Sequence, residues 1–242
     1  MTLSESPTAM LRKKYGLVVT PIHRAVGSDA LDFEGTGVLV ATNCRWLFTA
    51  AHVLGEREVV FVSGEKPVVI SRDRVGISPP ELDLAYVELA PAEAASLEAV
   101  GLRFLPFQAL DVSTDEFSPE RDGCLIAGYP TRSVDVDGDE RKIRAQPTTV
   151  TSQFLTPRER QGLSLKPGLQ LAVKFAALSD QNGGLKGFDP KGMSGSGIWR
   201  READDLRLAG IVTDYDPKRN ILIGTRLRPM LEEILRHLRE EN

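Results

Sequence analysis

The sequence predicts an all-β protein in two halves, each with roughly six short strands, followed by a C-terminal helix. Three observations predict it. Short apolar runs recur along nearly the whole chain, separated by turn-forming residues. Glycine (21) and proline (15) are numerous enough to supply a turn at most of those breaks. A clear helical period appears only near the end, where Leu231, Ile234, Leu235 and Leu238 follow i, i+3, i+4, i+7 spacing. Evenly spaced short strands favour a sandwich or a pair of barrels.

In chain order, the first set of expected strands covers residues 17–19, 37–40, 46–49, 59–62, 68–70 and 84–87. A short helix is expected at 91–100, crossing between the halves, with Pro91 tolerated in its first turn. After a loop at 111–121, the second set covers 124–127, 148–151, 171–175, 197–199, 209–212 and 221–223. The long segment 131–166, which includes the expected strand at 148–151, is polar and rich in turn formers, so it is the first place to look for mobility. The last element is a helix over 229–240 with Pro229 in its first turn and outer pairs Glu232–Arg236 and Glu233–His237. It is expected to pack on the domain surface, with partner binding as the alternative. No internal repeat joins the halves.

Composition narrows the class. A chain of 242 residues can bury a core without disulfides or metals. With 41% apolar and 26% charged residues it is an ordinary globular sequence, neither disordered nor fibrous. The net charge of -4 supplies no basic field for nucleic acid. No apolar run approaches bilayer length and no basic start precedes an apolar segment, so neither a membrane span nor a secretory signal is expected. The two cysteines, Cys44 and Cys124, are then expected as free buried thiols and the protein as cytoplasmic.

Three segments carry chemistry. In Phe48-Thr49-Ala50-Ala51-His52-Val53-Leu54 a strand delivers one of only three histidines to a turn of small residues. Histidine is the side chain that exchanges protons near neutrality, although alone His52 would more often be structural. In Glu81-Leu82-Asp83-Leu84-Ala85-Tyr86-Val87 strand alternation puts Asp83 on the face of Ala85 and Val87. A carboxylate there needs a donor, which an imidazole can supply; the other reading is a turn cap after Pro79-Pro80. In Gly192-Met193-Ser194-Gly195-Ser196 flanking glycines let backbone N–H groups approach a ligand, as an oxyanion requires, or simply form a turn. Ser196 is a second hydroxyl without the same lead-in. The segment is not a phosphate loop, and no Cys/His cluster suggests a metal.

Taken together, these segments resemble the motifs of the trypsin-like, chymotrypsin-fold serine peptidases, especially the bacterial trypsin-like and HtrA-like protease domains. Thr49-Ala50-Ala51-His52 matches the family's histidine motif, Asp83-Leu84-Ala85 its aspartate motif, and Gly192-Met193-Ser194-Gly195-Ser196 its nucleophile motif, in the family's order. Similar support comes from Gly35-Thr36-Gly37-Val38-Leu39-Val40, from Asp122 to Pro130, and from Leu208-Ala209-Gly210-Ile211-Val212-Thr213. The resemblance runs from about Tyr15 to the terminal helix.

The resemblance implies two six-stranded antiparallel barrels, at about 14–105 and about 119–228, preceded by an N-terminal arm at 1–13 and followed by the helix at 229–240. It implies Ser194 as nucleophile, His52 as general base and acid, Asp83 orienting His52, and the N–H groups of Gly192 and Ser194 as oxyanion hole. No cofactor and no metal are implied, and the substrate would be a protein or peptide. Met193 stands where animal trypsins carry the acidic residue of their zymogen switch, and the Ile-Val-Gly-Gly activation sequence is absent, so that switch is not expected. The pocket-base position falls on Phe188, and Thr213, Asp214 and Tyr215 would line the substrate cleft. A small or apolar residue is expected before the scissile bond, although Asp214 and Asp216 could favour a basic one.

No PDZ module follows, so control by a partner protein or by loop ordering is the expectation. A latent protease-fold binding module is the alternative. An α/β-hydrolase esterase is set aside because it needs the order Ser, Asp, His and a Gly-Xaa-Ser-Xaa-Gly elbow.

Overall fold

The computed structural model describes residues 7–26, 30–55, 59–63, 66–70, 74–113, 116–119, 122–137, 142–175, 189–202 and 205–240. Strands dominate, and they fall into two main antiparallel sheets. The first contains β1 (Val19–Val26), β2 (Ala30–Ala41), β3 (Arg45–Ala50), β4 (Val59–Ser63), β5 (Lys66–Ile70), β6 (Val75–Ile77) and β7 (Leu84–Leu89) in the order β5-β4-β1-β2-β3-β7-β6. Six of these strands have five residues or more; β6 is a short edge strand, and the two-residue β8 (Leu105–Pro106) lies parallel to β2. The short helix α2 (Ala51–Leu54) follows β3, and α3 (Pro91–Ala99) follows β7.

The second sheet has six strands. It contains β9 (Gly123–Gly128), β12 (Thr148–Gln153), β13 (Gln170–Lys174), β14 (Gly197–Glu202), β15 (Asp205–Asp216) and β16 (Ile221–Arg226), in the order β12-β9-β14-β15-β16-β13. Its two edges meet. Phe154 bridges Val173, the Leu155 amide donates to the Ala172 carbonyl at 3.0 Å, and the Ser152 hydroxyl donates to the Lys174 carbonyl.

Every strand expected from the sequence has a counterpart in these sheets, and several elements are new. Helix α1 (Pro7–Tyr15) spans the expected limit between arm and domain, and Leu11 on it is buried, so the folded unit includes this helix. Helix α3 does not cross between halves: its Ala94 and Leu97 pack into the cluster built from the first sheet. Besides the expected strand β12, the segment 131–166 holds an additional hairpin, β10 (Val134–Asp137) and β11 (Lys142–Ala145).

Three large apolar clusters follow from strand alternation, beside a small one of Leu155, Ala172 and Ile221. Ile22, Leu39, Leu47, Ala85 and Val87 fill the first half. Ile126, Val150, Val173, Ile198 and Leu222 fill the second. The opposite faces of the same strands meet in a shared cluster that includes Val38, Phe48, Leu125, Trp199 and Ile211. Helix α4 (Leu227–Glu240) starts two residues before the expected limit and buries Leu227, Met230, Leu231 and Ile234 in that shared cluster. Its described outer pair is Arg228 with Glu232 at 2.7 Å; the side chains of Arg236 and His237 lie outside the described residues.

The connection between halves is fixed by charge as well as packing. Arg200 on β14 donates from Nε to Asp122 at 2.9 Å and from Nη1 to Asp111 at 3.3 Å, with its guanidinium over the Phe117 ring. These carboxylates are buried, and the paired cation compensates their desolvation. No disulfide joins Cys44 and Cys124; Cys124 is buried as expected and burial raises its pKa, whereas Cys44 is only half-buried. Among the described residues no helix is long and apolar enough to cross a membrane.

Candidate active site

The register of the first sheet brings His52 to Asp83. Strands β3 and β7 are antiparallel neighbours, and the last residue of β3, Ala50, pairs with the first residue of β7, Leu84. Whatever follows β3 therefore lies beside whatever precedes β7. His52 sits on α2 immediately after the first strand, and Asp83 immediately before the second.

Two side-chain contacts join them. Nδ1 of His52 lies 2.6 Å from Oδ2 of Asp83, and the His52 amide donates to Oδ1 at 3.0 Å. The Ala51 amide also donates to the Asp83 carbonyl at 2.9 Å. Asp83 adopts φ 49°, the left-handed region that aspartate tolerates better than most residues. The turn is held from the other half as well: buried Thr225 on β16 donates its hydroxyl to the Leu82 carbonyl at 2.6 Å.

The hydrogen bond to Asp83 raises the His52 pKa. Partial burial opposes the rise, while the charges of Asp83, Asp214 and Glu34 add to it. With the carboxylate accepting at Nδ1, that nitrogen carries the proton and Nε2 is left with a lone pair.

Ser194 comes from the second half, on the turn before β14. That turn is clamped from two sides. The Thr36 amide of β2 donates to the Ser194 carbonyl at 2.8 Å, and the Gly195 amide donates to the Val212 carbonyl of β15 at 2.7 Å. Gly195 has φ 83°, and an added Cβ would stand 1.8 Å from the Thr36 carbonyl oxygen. Gly192 has φ 88°, and an added Cβ there would meet Phe33 at 2.4 Å. Glycine at both positions follows from these contacts and dihedrals. The amides of Gly192 and Ser194 meet no acceptor among the described residues, although neighbouring peptide groups are paired. Ser196 is buried, with its hydroxyl 3.7 Å from the Met193 sulfur.

His52, Asp83, Gly192 and Ser194 line one cavity of about 650 Å³, together with Thr213, Asp214 and Tyr215. The Ser194 hydroxyl makes no hydrogen bond among the described residues, so a bond to His52 is not formed in this structure. Phe188, the expected pocket base, lies outside the described residues. Thr213 is buried at the irregularity where β15 shifts register against β16, Asp214 is exposed, and Tyr215 stacks edge-on against Phe175.

Further residues reach the site without having been singled out from the sequence: Glu34, Glu81, Gln170 and Lys191 on the cavity wall, and Thr36 behind it. Thr36 flanked by Gly35 and Gly37 was the available signal, since two glycines in a strand mark close backbone approach. Among the described residues no group of three or more His, Cys, Asp or Glu could hold a metal ion. Compared with known proteins, the chain matches no family model, and no curated sequence matches it significantly.

Proposed function

We propose that this chain is a serine endopeptidase that hydrolyses peptide bonds through an acyl-enzyme. One observation carries the reading: a hydrogen-bonded His–Asp pair and a glycine-flanked serine from opposite halves line the same cavity. Ser194 Oγ attacks the scissile carbonyl carbon while His52 Nε2 accepts its proton. Asp83 keeps the imidazole in the tautomer that frees Nε2 and stabilises the imidazolium that forms. The carbonyl oxygen becomes an oxyanion, and the unpaired amides of Gly192 and Ser194 are the donors offered to it. The tetrahedral intermediate collapses as His52 returns the proton to the departing amine. Water, activated by His52, then releases the acyl group.

The sheets are read here as two six-stranded barrels of the chymotrypsin kind, with the catalytic groups between them. This makes the chain a trypsin-like, HtrA-like protease domain acting on a protein or peptide in the cytoplasm without a cofactor, under the control of a partner or of loop ordering. Thr213, Asp214 and Tyr215 form the wall along which the substrate backbone lies. The missing Ser194–His52 hydrogen bond favours a second reading, a latent protease-fold binding module. Nucleophile–base contacts often tighten only when substrate is bound, so we hold the enzyme reading first.

Hydrolysis of an unfolded protein substrate by the wild type, and by Ser194→Ala and His52→Ala, tests the proposal. Turnover that is lost in both folded variants supports it. A well-folded wild type that binds polypeptide without cleaving it supports the binding module.

A further inference from the structure

We infer that Thr131 is a positioning residue that sets the orientation of the Gly192 amide, and through it the competence of the oxyanion site; the catalytic consequence rests on the reading above. The Lys191 carbonyl accepts two hydrogen bonds from this one residue, from the Thr131 amide at 2.8 Å and from its hydroxyl at 3.0 Å. That carbonyl belongs to the same peptide group as the Gly192 N–H. The peptide is planar and trans, so its C=O and N–H point in opposite directions. Holding the oxygen against Thr131 therefore turns the N–H away from Thr131, where it meets no acceptor among the described residues.

The neighbouring peptide group is held separately. The Gly192 carbonyl accepts from the Thr36 hydroxyl at 3.2 Å, so the two peptides around Gly192 are anchored by different halves of the protein. Glycine at φ 88° has wide rotational freedom, and without both anchors this peptide has little to keep it from turning over. Contact is close as well: a Cβ on Gly192 would stand 2.8 Å from the Thr131 nitrogen and 2.9 Å from its hydroxyl.

Thr131 is itself placed by the base of the hairpin β10–β11. The Ser133 amide donates to the Pro130 carbonyl at 2.8 Å, and the Gln146 amide donates to the Ser133 carbonyl at 3.0 Å. Val134 and Ala145, at the two ends of the hairpin base, pack against the shared core. The base of this polar hairpin therefore rests on the peptide that presents an oxyanion donor.

The test uses Thr131→Val, which keeps the side-chain shape and removes the hydroxyl, and Thr131→Ser, which restores the donor. Two measurements are made on each full-length protein. The first is the residual dipolar coupling of the Gly192 amide, which reports N–H orientation without any activity. The second is the rate of phosphonylation by a fluorophosphonate, which displaces fluoride, and of acylation by an activated peptide ester, which also gives kcat and KM. The expected result is an altered or averaged Gly192 coupling in Thr131→Val and a wild-type coupling in Thr131→Ser. Acylation should fall roughly tenfold in Thr131→Val through kcat with KM unchanged, below the about 10²–10³ lost when a donor is deleted outright. An unchanged Gly192 coupling in a folded Thr131→Val protein overturns the inference. A wild type that is never acylated overturns the hydrolase reading instead, and the coupling still decides what Thr131 does.

Discussion

Replacing Gly195 with alanine should unfold the Ser194 turn, and the size of the effect follows from two contributions that can be separated. The first is conformational. At φ 83° an L-residue carries about 1–2 kcal/mol of left-handed strain, partly offset by the reduced freedom of the unfolded chain. The second is steric. The new Cβ would stand 1.8 Å from the Thr36 carbonyl oxygen and 2.3 Å from the Thr49 hydroxyl, where non-bonded carbon contacts normally sit at about 3.5–4.0 Å.

Strand β2 would have to retreat by well over an ångström, and Thr36 is its most heavily bonded residue at this point. Its amide holds Ser194, its hydroxyl donates to Gly192 and accepts from the Tyr129 amide, and its carbonyl accepts from Thr49. Losing two or three such bonds at about 1 kcal/mol each brings the total to about 4 kcal/mol. Gly101→Ala is the control, because φ there is 92° and nothing lies within 4 Å of an added Cβ. Its cost should be only the strain, about 1 kcal/mol. Urea denaturation of both variants at constant m measures the difference. Equal losses at the two positions would refute the claim that β2 clamps the nucleophile turn.

Two pH predictions follow from the histidines. The His52 imidazole should titrate above about 6.5 by NMR, and Asp83→Asn should lower its midpoint, because the hydrogen bond to Asp83 is the main cause of the rise. A wild-type midpoint at or below that value would contradict the pairing. His23 should do the reverse. It is buried on β1 with neither ring nitrogen hydrogen-bonded, and burial lowers its pKa to about 4. Between about 6.5 and about 4 the unfolded chain then binds a proton that the folded one does not, so stability falls as pH falls through that window, by about 3 kcal/mol in all. Urea denaturation against pH should show this slope in the wild type and lose it in His23→Leu; an identical slope in the variant would exclude His23 as the source.

Much of the fold was legible because strand signals are local. Alternation and turn residues located the strands of both sheets apart from the short β6 and β8, and the i, i+4 pattern located α4. What was missed depends on partners far along the chain. Strand β1 continues through Pro21, which a sequence reading takes as a stop; β4 pairs only with Ile22 to Arg24, so the missing amide breaks no ladder there. Helix α1 fully buries Leu11 and packs Tyr15 against the core, too little to make a period in sequence. The hairpin β10–β11 did not stand out because each strand has only four residues, two of them charged, too few for alternation to make a clear signal.

The candidate site divides in the same way. His52, Asp83 and Ser194 stood out because each sits in a short segment whose residue types suit its chemistry. Their convergence did not, because it depends on the β3–β7 register and on the approach of β2 to the Ser194 turn. The flanking glycines mark Thr36 as a point of close approach, but its partner and the role of Thr131 were not legible, because no sequence spacing records which carbonyl a hydroxyl will meet.

The most direct test of the central claim is fluorophosphonate labelling read by intact mass, on the wild type and on Ser194→Ala and His52→Ala. The account predicts a single adduct on the wild type, mapped to Ser194, that is absent from Ser194→Ala and strongly reduced in His52→Ala. A folded wild type that takes no adduct, alone or with a polypeptide substrate present, or an adduct that persists in Ser194→Ala, would contradict it.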